Sequence, residues 1–472
     1  MVALARHVSS LAILVGSAAG ARRSKRRMQS AGTKLIAGVP VFNYQAAYAG
    51  ESMAEAGAEE EWVVMVKPGV TEAQIKDMCA VAKNGCKLTG NPSRGGVPFF
   101  EMRGSEADLE AVIASGHGAA KFVEPDQIVR AIPEVEPEDA TASLWGLNRV
   151  GAYQRANEGE GVNVFVLDTG VRTTHQDFGG RGIPTLDMSS GRPVECNGDT
   201  GCAADRQGHG THCAGSAGGA SYGVAPGATI RSVKVLSDQG SGSWSWSYAA
   251  LDWLATSSLR PAVASMSLGG PGIQSAMKDA VDAATNANVI VVVAGGNSNL
   301  DSCEFSPAFV PSAITVGSTT SQDTRSSFSN YGACTNIWAP GSSILSAGHA
   351  SDTSSATYSG TSMACPHVAG GAALVLQRNP GFNYGKVLEA LQTDADADMI
   401  SGLYPSDTNK MLFVGRPQEP TPAPVPTPVS PTPVPTPAPT PVPTPVPAYP
   451  CNSPWDRLCL SLNCDPAHTI YK

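Results

Sequence analysis

The chain has 472 residues, enough for more than one folded domain, and is 42% hydrophobic but only 15% charged. Its formal net charge of −9 argues against a dedicated nucleic-acid-binding protein, which would normally carry a basic patch or stripe. Its apolar runs are shorter than the roughly 18 residues that a membrane-spanning helix requires, which argues against an integral membrane protein.

The N-terminal residues are predicted to lie outside the folded domains. Residues 1–21 combine a short basic start, an apolar stretch and small residues at the end, which is typical of a secretory signal peptide. An organelle transit peptide is the alternative, because the first 50 residues contain arginine and no acidic residue. We therefore expect a secreted protein, with an organelle lumen as the alternative. Residues 22–60 are assigned to a leader of low order.

Residues 61–132 show the pattern of a small α+β domain. The predicted elements are a strand, two helices and a closing strand: Trp62–Lys67, Thr71–Ala82, Ser105–Ser115 and Lys121–Val129. A run of acidic residues follows from Glu134 to Asp139. Residues 133–143 are therefore predicted to be an exposed linker.

Residues 144–416 alternate short apolar strands with longer helices, which indicates an α/β domain with a mostly parallel sheet covered on both faces. The predicted strands are Val162–Leu167, Ile230–Leu236, Val263–Leu268, Val289–Val293 and Ile314–Gly317. The predicted helices are Trp244–Thr256, Ile273–Asn286 and Thr361–Gln377. In such sheets the active site gathers at the carboxyl ends of the strands, where the polar motifs of this sequence fall.

The sequence ends in two segments of unusual composition. Residues 417–450 form a Pro/Thr/Val repeat, which predicts an extended polyproline II spacer. Residues 451–472 contain three cysteines and are too few to form a core without cross-links. A second hypothesis makes these segments the working part of a binding or anchoring protein, but a tail this short does not support it.

Three motifs supply candidate catalytic side chains. Asp168 ends an apolar strand in Leu-Asp-Thr-Gly, where it could merely cap a turn or, in a dimer, serve an aspartic protease. His209 lies in Gly-His-Gly-Thr-His-Cys, and His212 raises the alternative of a metal site, although the H-E-x-x-H spacing is absent. Ser362 lies in Gly-Thr-Ser-Met-Ala-Cys-Pro-His at the predicted start of a helix, with Pro366 expected in the first turn.

Together these three side chains can form a nucleophilic triad. A serine hydroxyl is a weak nucleophile until a neighbouring base takes its proton. His209 can be that base, and Asp168 can orient the ring and stabilise its positive charge. The order aspartate, histidine, serine along the chain is that of subtilisin and differs from that of chymotrypsin.

Residues 144–416 resemble the subtilisin-like serine proteases, and most closely their proteinase K branch. The matching stretches, in the expected order, are WGLNRV, VFVLDTGVRTTHQDFGGR, GHGTHCAG, VKVLSDQGSGS, SMSLGG, VAGGN, SSFSNYG and SGTSMACPHVAGG. The resemblance implies a subtilisin-like three-layer α/β fold and an endopeptidase of broad specificity for proteins and peptides. It implies no cofactor for catalysis, and we expect a monomer. A catalytically inactive scaffold is a further alternative, although no required residue is missing.

The resemblance also assigns residues to the oxyanion and to the substrate. It makes the Asn297 amide an oxyanion donor, whereas a simple turn residue is the alternative. It places Trp244 near the fourth subsite, with a buried helix residue as the alternative, and Gly295 at the floor of the primary pocket, where relatives usually carry alanine. The substrate strand is expected between two segments: Gly240, Ser241 and Gly242, and Ser267, Leu268 and Gly269.

The cysteines favour an oxidising compartment. Cys213 and Cys365, which adjoin the histidine and serine motifs, are interpreted as buried free thiols. The expected pairs, the last of them implied by the resemblance, are Cys79–Cys86, Cys196–Cys202 and Cys303–Cys334.

Two further expectations come from the resemblance. Relatives often hold a structural calcium ion, here through the carbonyls of Pro311 and Ala313, but Asn336 replaces the expected acid and weakens the site. Residues 61–132 resemble the inhibitor propeptides of the family, which implies an intramolecular inhibitor that is cut away between Ala131 and Ser143.

Overall fold

The structure, a computed structural model, describes residues 34–44, 59–134 and 143–416. In this part of the chain, no helix is both long and apolar enough to cross a membrane. The predicted signal peptide, spacer and tail lie outside the described residues: 1–21, 417–450 and 451–472.

The first domain comprises residues 34–44 and 59–134. Its helices are α1 (Glu72–Val81) and α2 (Glu106–Ser115). Its strands are β1 (Lys34–Ile36), β2 (Val39–Val41), β3 (Glu60–Val66), β4 (Cys86–Thr89), β5 (Phe99–Gly104), β6 (Ala120–Pro125) and β7 (Ile128–Ala131). Among the described residues, all but β7 form one sheet in the order β1-β2-β6-β3-β5-β4.

Strand β3 shows why this sheet is buried on both faces. Successive side chains of a strand point to opposite faces. Trp62 and Val64 pack in the core beneath α1 and α2, whereas Val63 and Met65 belong to a core that continues into the second domain. The first domain therefore packs on the second through the face of its sheet that carries Val63 and Met65.

Residues 34–44 differ from the sequence prediction. They were expected to belong to a leader of low order, but β1 and β2 form a hairpin, and β2 pairs in parallel with β6 at Val41 and Val123. Ile36 and Val41 are buried in the core of the first domain. Burial of these short apolar strands explains why the segment is ordered.

The predicted closing strand Lys121–Val129 is in fact two strands, β6 and β7. Pro125 ends β6, because proline has no N–H to donate to a neighbouring strand. The N–H of Asp126 donates to the carbonyl of Glu61, and the chain then leaves the sheet. This break sends β7 onto the second domain.

The second domain, residues 143–416, is built around a large sheet. Its helices are α3 (Trp145–Arg149), α4 (His209–Gly218), α5 (Trp244–Thr256), α6 (Ser275–Asn286), α7 (Thr361–Arg378) and α8 (Tyr384–Asp394). Its first strands are β8 (Asn163–Asp168), β9 (Gly182–Asp187), β10 (Val194–Glu195), β11 (Thr229–Lys234), β12 (Ser241–Ser243), β13 (Ala262–Met266), β14 (Leu268–Pro271) and β15 (Val289–Ala294). The others are β16 (Phe305–Ser306), β17 (Ile314–Thr319), β18 (Ile337–Pro340), β19 (Ile344–Ala347), β20 (Ser355–Tyr358), β21 (Asp396–Ala397) and β22 (Lys410–Met411).

Within the described residues, ten strands form this sheet in the order β10-β9-β11-β8-β13-β15-β17-β18-β22-β21. The pairs from β9 to β22 are parallel, and the two edge strands are antiparallel. Residues of α4 and α7 share a core with Val164 and Val166 of β8, whereas residues of α5 and α6 share the opposite core with Phe165 and Leu167. The result is the expected three-layer α/β fold with a mostly parallel sheet.

Candidate active site

The three candidate catalytic residues lie at the carboxyl end of the parallel sheet. Asp168 and His209 are hydrogen-bonded there, whereas the Ser362 hydroxyl contacts main-chain carbonyls and not His209. Asp168 is the last residue of β8, His209 opens α4, and Ser362 is the second residue of α7. All three are almost completely buried, and Ser362 contacts Ile132 at the end of the first domain. The sheet therefore brings together three motifs that lie far apart along the sequence.

Asp168 and His209 form a close pair. The Nδ1 atom of His209 lies 2.8 Å and 2.9 Å from the two carboxylate oxygens of Asp168. Burial alone would lower the pKa of His209, but the Asp168 carboxylate, together with Cys213, outweighs burial and raises that pKa well above the usual range. The Nε2 atom of His209 is buried and has no hydrogen-bond partner among the described residues. This nitrogen is thus the one that can accept a proton.

Two neighbouring histidines lack such a partner. His212 Nε2 lies 2.9 Å from the carbonyl of Ile344, and burial lowers the pKa of His212 to about 3. His367 Nδ1 lies 2.7 Å from the carbonyl of Met363, and burial lowers its pKa to about 4. Among the described residues, the close cluster of potential metal ligands is Asp168, His209 and Cys213; His212 is not part of it, which argues against the alternative of a metal held by the two histidines.

Pro366 leaves the main-chain carbonyl of Ser362 without its usual hydrogen-bond donor in the helix. Pro366 was expected in the first helical turn, but α7 begins at Thr361, so the proline is its sixth residue. A proline cannot donate to the carbonyl four residues earlier, here that of Ser362. That carbonyl instead accepts from Ser267 Oγ at 2.9 Å and lies 3.4 Å from Cys213 Sγ. The proline thus frees a carbonyl that anchors the serine to two neighbouring elements.

Asn297 is held with its amide nitrogen facing the cleft. Its Oδ1 accepts from the N–H of Thr361 at 2.9 Å and from the Thr361 hydroxyl at 2.8 Å. Its Nδ2 donates to the carbonyl of Pro133, 2.8 Å away. The N–H of Ser362 lies at the start of α7, where amide groups have no partner within the helix. A carbonyl at this place can therefore be polarised from two sides.

The two predicted substrate-binding segments flank β7 of the first domain. On one side Gly242 pairs with Val129, and on the other Leu268 pairs with Ala131, both in antiparallel register. In this way β7 lies as a middle strand between β12 and β14, bound through the main chain. The flanking residues of the two segments are Gly240, Ser241, Gly242, Ser267, Leu268 and Gly269.

The end of this strand reaches the catalytic side chains. The N–H of Ile132 donates to the carbonyl of Ser267 at 3.3 Å. The hydroxyl of Ser362 lies 3.4 Å from the carbonyl oxygen of Ile132 and 3.3 Å from that of Ser267. With Pro133 at Asn297, the segment occupies the cleft in the manner of an extended peptide.

A cavity of about 390 Å³ opens beside Ile132. Gly295 contributes to its wall, and a Cβ added there would lie 3.0 Å from the carbonyl oxygen of Val316. An alanine at this position would therefore crowd the main chain of β17. Trp244 is buried in the same apolar cluster as Val129, so it is a core residue beside the bound strand.

The cysteines are arranged as the sequence indicates. Cys213 and Cys365 are free and buried. The bonded pairs are Cys79–Cys86, Cys196–Cys202 and Cys303–Cys334.

The residues expected to hold calcium do not fit that ion. The side-chain oxygen of Asn336 accepts from the N–H of Thr315 at 2.8 Å, so it is already engaged. The carbonyls of Pro311 and Ala313 add no charge, and calcium affinity depends on charged oxygen ligands. The three oxygen donors are neutral, and the Asn336 amide is already hydrogen-bonded. They would therefore bind a calcium ion weakly.

Sequence reasoning missed Asp205. This carboxylate is buried in the loop before α4 and accepts hydrogen bonds from Thr169, beside Asp168, and from Thr211 of the helix that His209 opens. An aspartate shortly before a helix is a capping signal, which could have identified it.

Known proteins are similar to the part of the chain that contains this site. The model described as the subtilase family matches residues 159–414. The chain is 45% identical over 300 residues to the "Extracellular serine proteinase" of Thermus sp. (strain Rt41A), a match that covers 62% of this chain and 70% of the relative. It is 42% identical over 301 residues to the "Alkaline serine exoprotease A" of Vibrio alginolyticus, covering 62% of this chain and 54% of that protein, so it spans about half of the second relative.

A solved structure is similar as well. It is the crystal structure of a cold adapted subtilisin-like serine proteinase, 44% identical, with a TM-score of 0.54. The match covers 58% of this chain and 98% of the solved chain. Sequence and structure together show a subtilisin-like fold.

Proposed function

The chain belongs to the subtilase family of serine peptidases, and we propose that it is a secreted endopeptidase made as a self-processing precursor. The observation that carries the proposal is β7, which lies between β12 and β14 as a peptide substrate would. The first domain is then the intramolecular inhibitor. Secretion is supported by the disulfide bonds and by the name of the Thermus relative.

The reaction that we propose uses only side chains and main-chain groups of one chain. A turn of the Ser362 side chain brings its hydroxyl to His209 Nε2, which removes the proton as Oγ attacks the carbonyl carbon of the scissile bond. Asp168 holds the ring and stabilises its positive charge, and the oxyanion receives hydrogen bonds from Asn297 Nδ2 and the Ser362 N–H.

The second half of the reaction restores the enzyme. His209 gives its proton to the leaving amine, and the acyl group remains on Ser362 Oγ. Water then attacks this ester while His209 takes a proton from it, which releases the acid and regenerates the hydroxyl. No cofactor takes part, and the enzyme acts as a monomer.

Recognition through the main chain gives broad sequence tolerance. A strand that adds to a sheet edge is bound by backbone hydrogen bonds, which every residue except proline offers, while pockets select side chains. The glycine-lined cavity beside Ile132, with Gly295 in its wall, accepts an apolar side chain. We therefore assign protein and peptide substrates without a strict sequence.

The bond cut during maturation is, in this proposal, Pro133–Glu134. The carbonyl of Pro133 is the one that accepts from Asn297 Nδ2. The alternative bond is Ile132–Pro133, whose carbonyl oxygen lies 3.4 Å from the Ser362 hydroxyl and whose nitrogen would leave as the secondary amine of proline.

The test is expression of the full chain and of Ser362→Ala, with Ser351→Ala, an exposed serine, as the matched control. We expect the wild type and the control to hydrolyse casein, to be blocked by a serine-directed inhibitor and to yield a mature chain that begins at Glu134. We expect Ser362→Ala to remain full length and inactive. Equal activity of Ser362→Ala would overturn the triad, and another N-terminus would overturn the assigned bond.

A further inference from the structure

Asp205 lies buried in the loop that joins Cys202 to α4, and its exposed fraction is 5%. A buried carboxylate is costly unless hydrogen bonds satisfy it. Asp205 Oδ1 accepts from the Thr169 hydroxyl at 2.9 Å and from the N–H groups of Gln207 at 2.9 Å and Gly208 at 2.8 Å. Its Oδ2 accepts from the N–H of Thr211 at 2.9 Å and from the Thr211 hydroxyl at 2.6 Å.

One group of these bonds fixes the start of α4. The first N–H groups of a helix have no partner within it. Gly208, at the capping position, has no side chain to supply one. Asp205 supplies the missing acceptor from three residues earlier, and Gln207 Oε1 accepts from the N–H of His209 at 2.7 Å. The residue that carries the base is therefore held by its own N-terminal loop.

The other bond reaches the strand that carries Asp168. The Thr169 hydroxyl donates to Asp205 and accepts from the N–H of Gly210 at 2.9 Å. The two elements are also in close contact here, since a Cβ added to Gly210 would lie 2.1 Å from the carbonyl oxygen of Gly170. Asp205 thus joins the neighbour of Asp168 to the neighbours of His209.

We propose that Asp205 is a positioning residue that sets the geometry of the Asp168–His209 hydrogen bond by tying the end of β8 to the start of α4. It touches neither the substrate strand nor the reacting atoms. The inference rests on the proposed function, because it assumes that His209 is the base. Its loss acts on the chemical step and leaves the contacts to substrate intact.

The test compares Asp205→Asn with Asp199→Asn in the full chain, processed where necessary by a trace of wild-type enzyme. Asp199 is an exposed acid of the adjoining segment between Cys196 and Cys202, and its carboxylate accepts from the N–H of Gly201. Rates are normalised to active sites counted with a covalent serine-directed inhibitor. We expect Asp205→Asn to lower kcat by about 10- to 100-fold, since small misplacement of a catalytic group has effects of this size, with KM changed less than about twofold. Asp199→Asn is expected to match the wild type.

The pH profile separates positioning from simple helix capping. Asp168 raises the pKa of His209, so a loosened pair moves the acid limb of kcat to lower pH. Thr169→Val removes the bridge to β8, together with the acceptor for the Gly210 N–H, and keeps the bonds of Asp205 to Gly208 and Thr211; we expect the same changes at smaller size. The proposal is overturned if Thr169→Val behaves as wild type. This holds both where Asp205→Asn lowers only the Tm and where Asp205→Asn fails to fold. Activity independent of Ser362 would instead refute the proposed function itself.

Discussion

Carboxyl groups that are wholly or partly buried in two regions of this molecule have different partners. In the active site, Asp168 faces an imidazole that can become positively charged. At the contact between the domains, Glu124 accepts from the N–H groups of Ser275 at 2.8 Å and Ala276 at 3.1 Å, at the start of α6. Asp126 likewise accepts from the N–H of Ser245 at 3.2 Å and from its hydroxyl at 2.7 Å, at the start of α5.

The difference appears in the pKa values. A helix N-terminus carries only a partial positive charge. It therefore stabilises a carboxylate by less than burial destabilises it. Burial raises the pKa of Glu124 to about 7 and that of Asp126 to about 6. In the active site, by contrast, the pair raises the pKa of the histidine. One arrangement prepares a proton transfer, whereas the other makes a domain contact that depends on pH.

Among the variants that test this comparison, Asp168→Asn is expected to have the largest effect on activity. An amide leaves His209 without a carboxylate to fix its tautomer and stabilise its charge, so we expect kcat to fall by about 10⁴-fold. The measurement is peptide hydrolysis by the variant after processing with a trace of wild-type enzyme, with identically treated Ser362→Ala as the blank. Glu124→Gln is the contrasting variant, because in the proposed maturation Glu124 is removed with the first domain, so the mature kcat should be unchanged. A comparable loss in both variants would contradict the distinction.

The contact between the domains is tested by the pH dependence of the release of the proposed inhibitor, the first domain. Glu124 and Asp126 have higher pKa values in the complex than as free side chains, so the complex binds protons that separation releases. Acid therefore favours the complex, and its stability falls as pH rises from the ordinary carboxyl range to about 7. Neighbouring acids, Glu61 beside Asp126 and Asp279 beside Glu124, act in the same direction.

We expect the processed complex to release its inhibitor about tenfold more slowly at about pH 5 than at about pH 8. Samples incubated at each pH are assayed at one common pH, so that the titration of His209 does not enter. Glu124→Gln should lose much of this dependence, while Glu110→Gln, an exposed acid on α2, should keep it. Faster release in acid would show that the helix termini outweigh burial.

Sequence patterns predicted the parts of the fold that burial determines on a continuous stretch. Helix α5 has the predicted bounds Trp244–Thr256, and strand β15 extends the predicted Val289–Val293 by one residue. Both lie inside the second domain, where runs of apolar residues are covered on both sides. The candidate site residues followed from motifs whose chain order and resemblance pointed to one reaction.

What the sequence did not predict depends on contacts between distant residues. The register of β7 between Gly242 and Leu268 is set by pairing across more than one element, which no local pattern records. The hydrogen bonds of Asp205 and of the Asn336 amide likewise depend on the tertiary structure. The hairpin of β1 and β2 was missed because strands of three residues give too short a pattern to distinguish from a leader.

That hairpin also reaches the contact between the domains. Asn43 Nδ2 lies 3.0 Å from Glu124 Oε1 and donates to the carbonyl of Ile273 at 2.9 Å, so one amide touches both the buried carboxyl and the second domain. Net hydrogen-bond contributions are about 0.5–1.5 kcal/mol each. We therefore expect Asn43→Ala to weaken inhibition by about three- to tenfold.

The effect of Asn43→Ala is measured as the rate at which activity appears from the processed complex at one pH, with Lys34→Ala as control. Lys34 lies on the same hairpin but pairs with Glu106 inside the first domain, so its loss should leave release unchanged. If Asn43→Ala also leaves release unchanged, the hairpin stabilises the first domain alone. If release is faster, residues 34–44 are part of the inhibitor, and the carboxyl of Glu124 depends on an amide from outside the predicted propeptide.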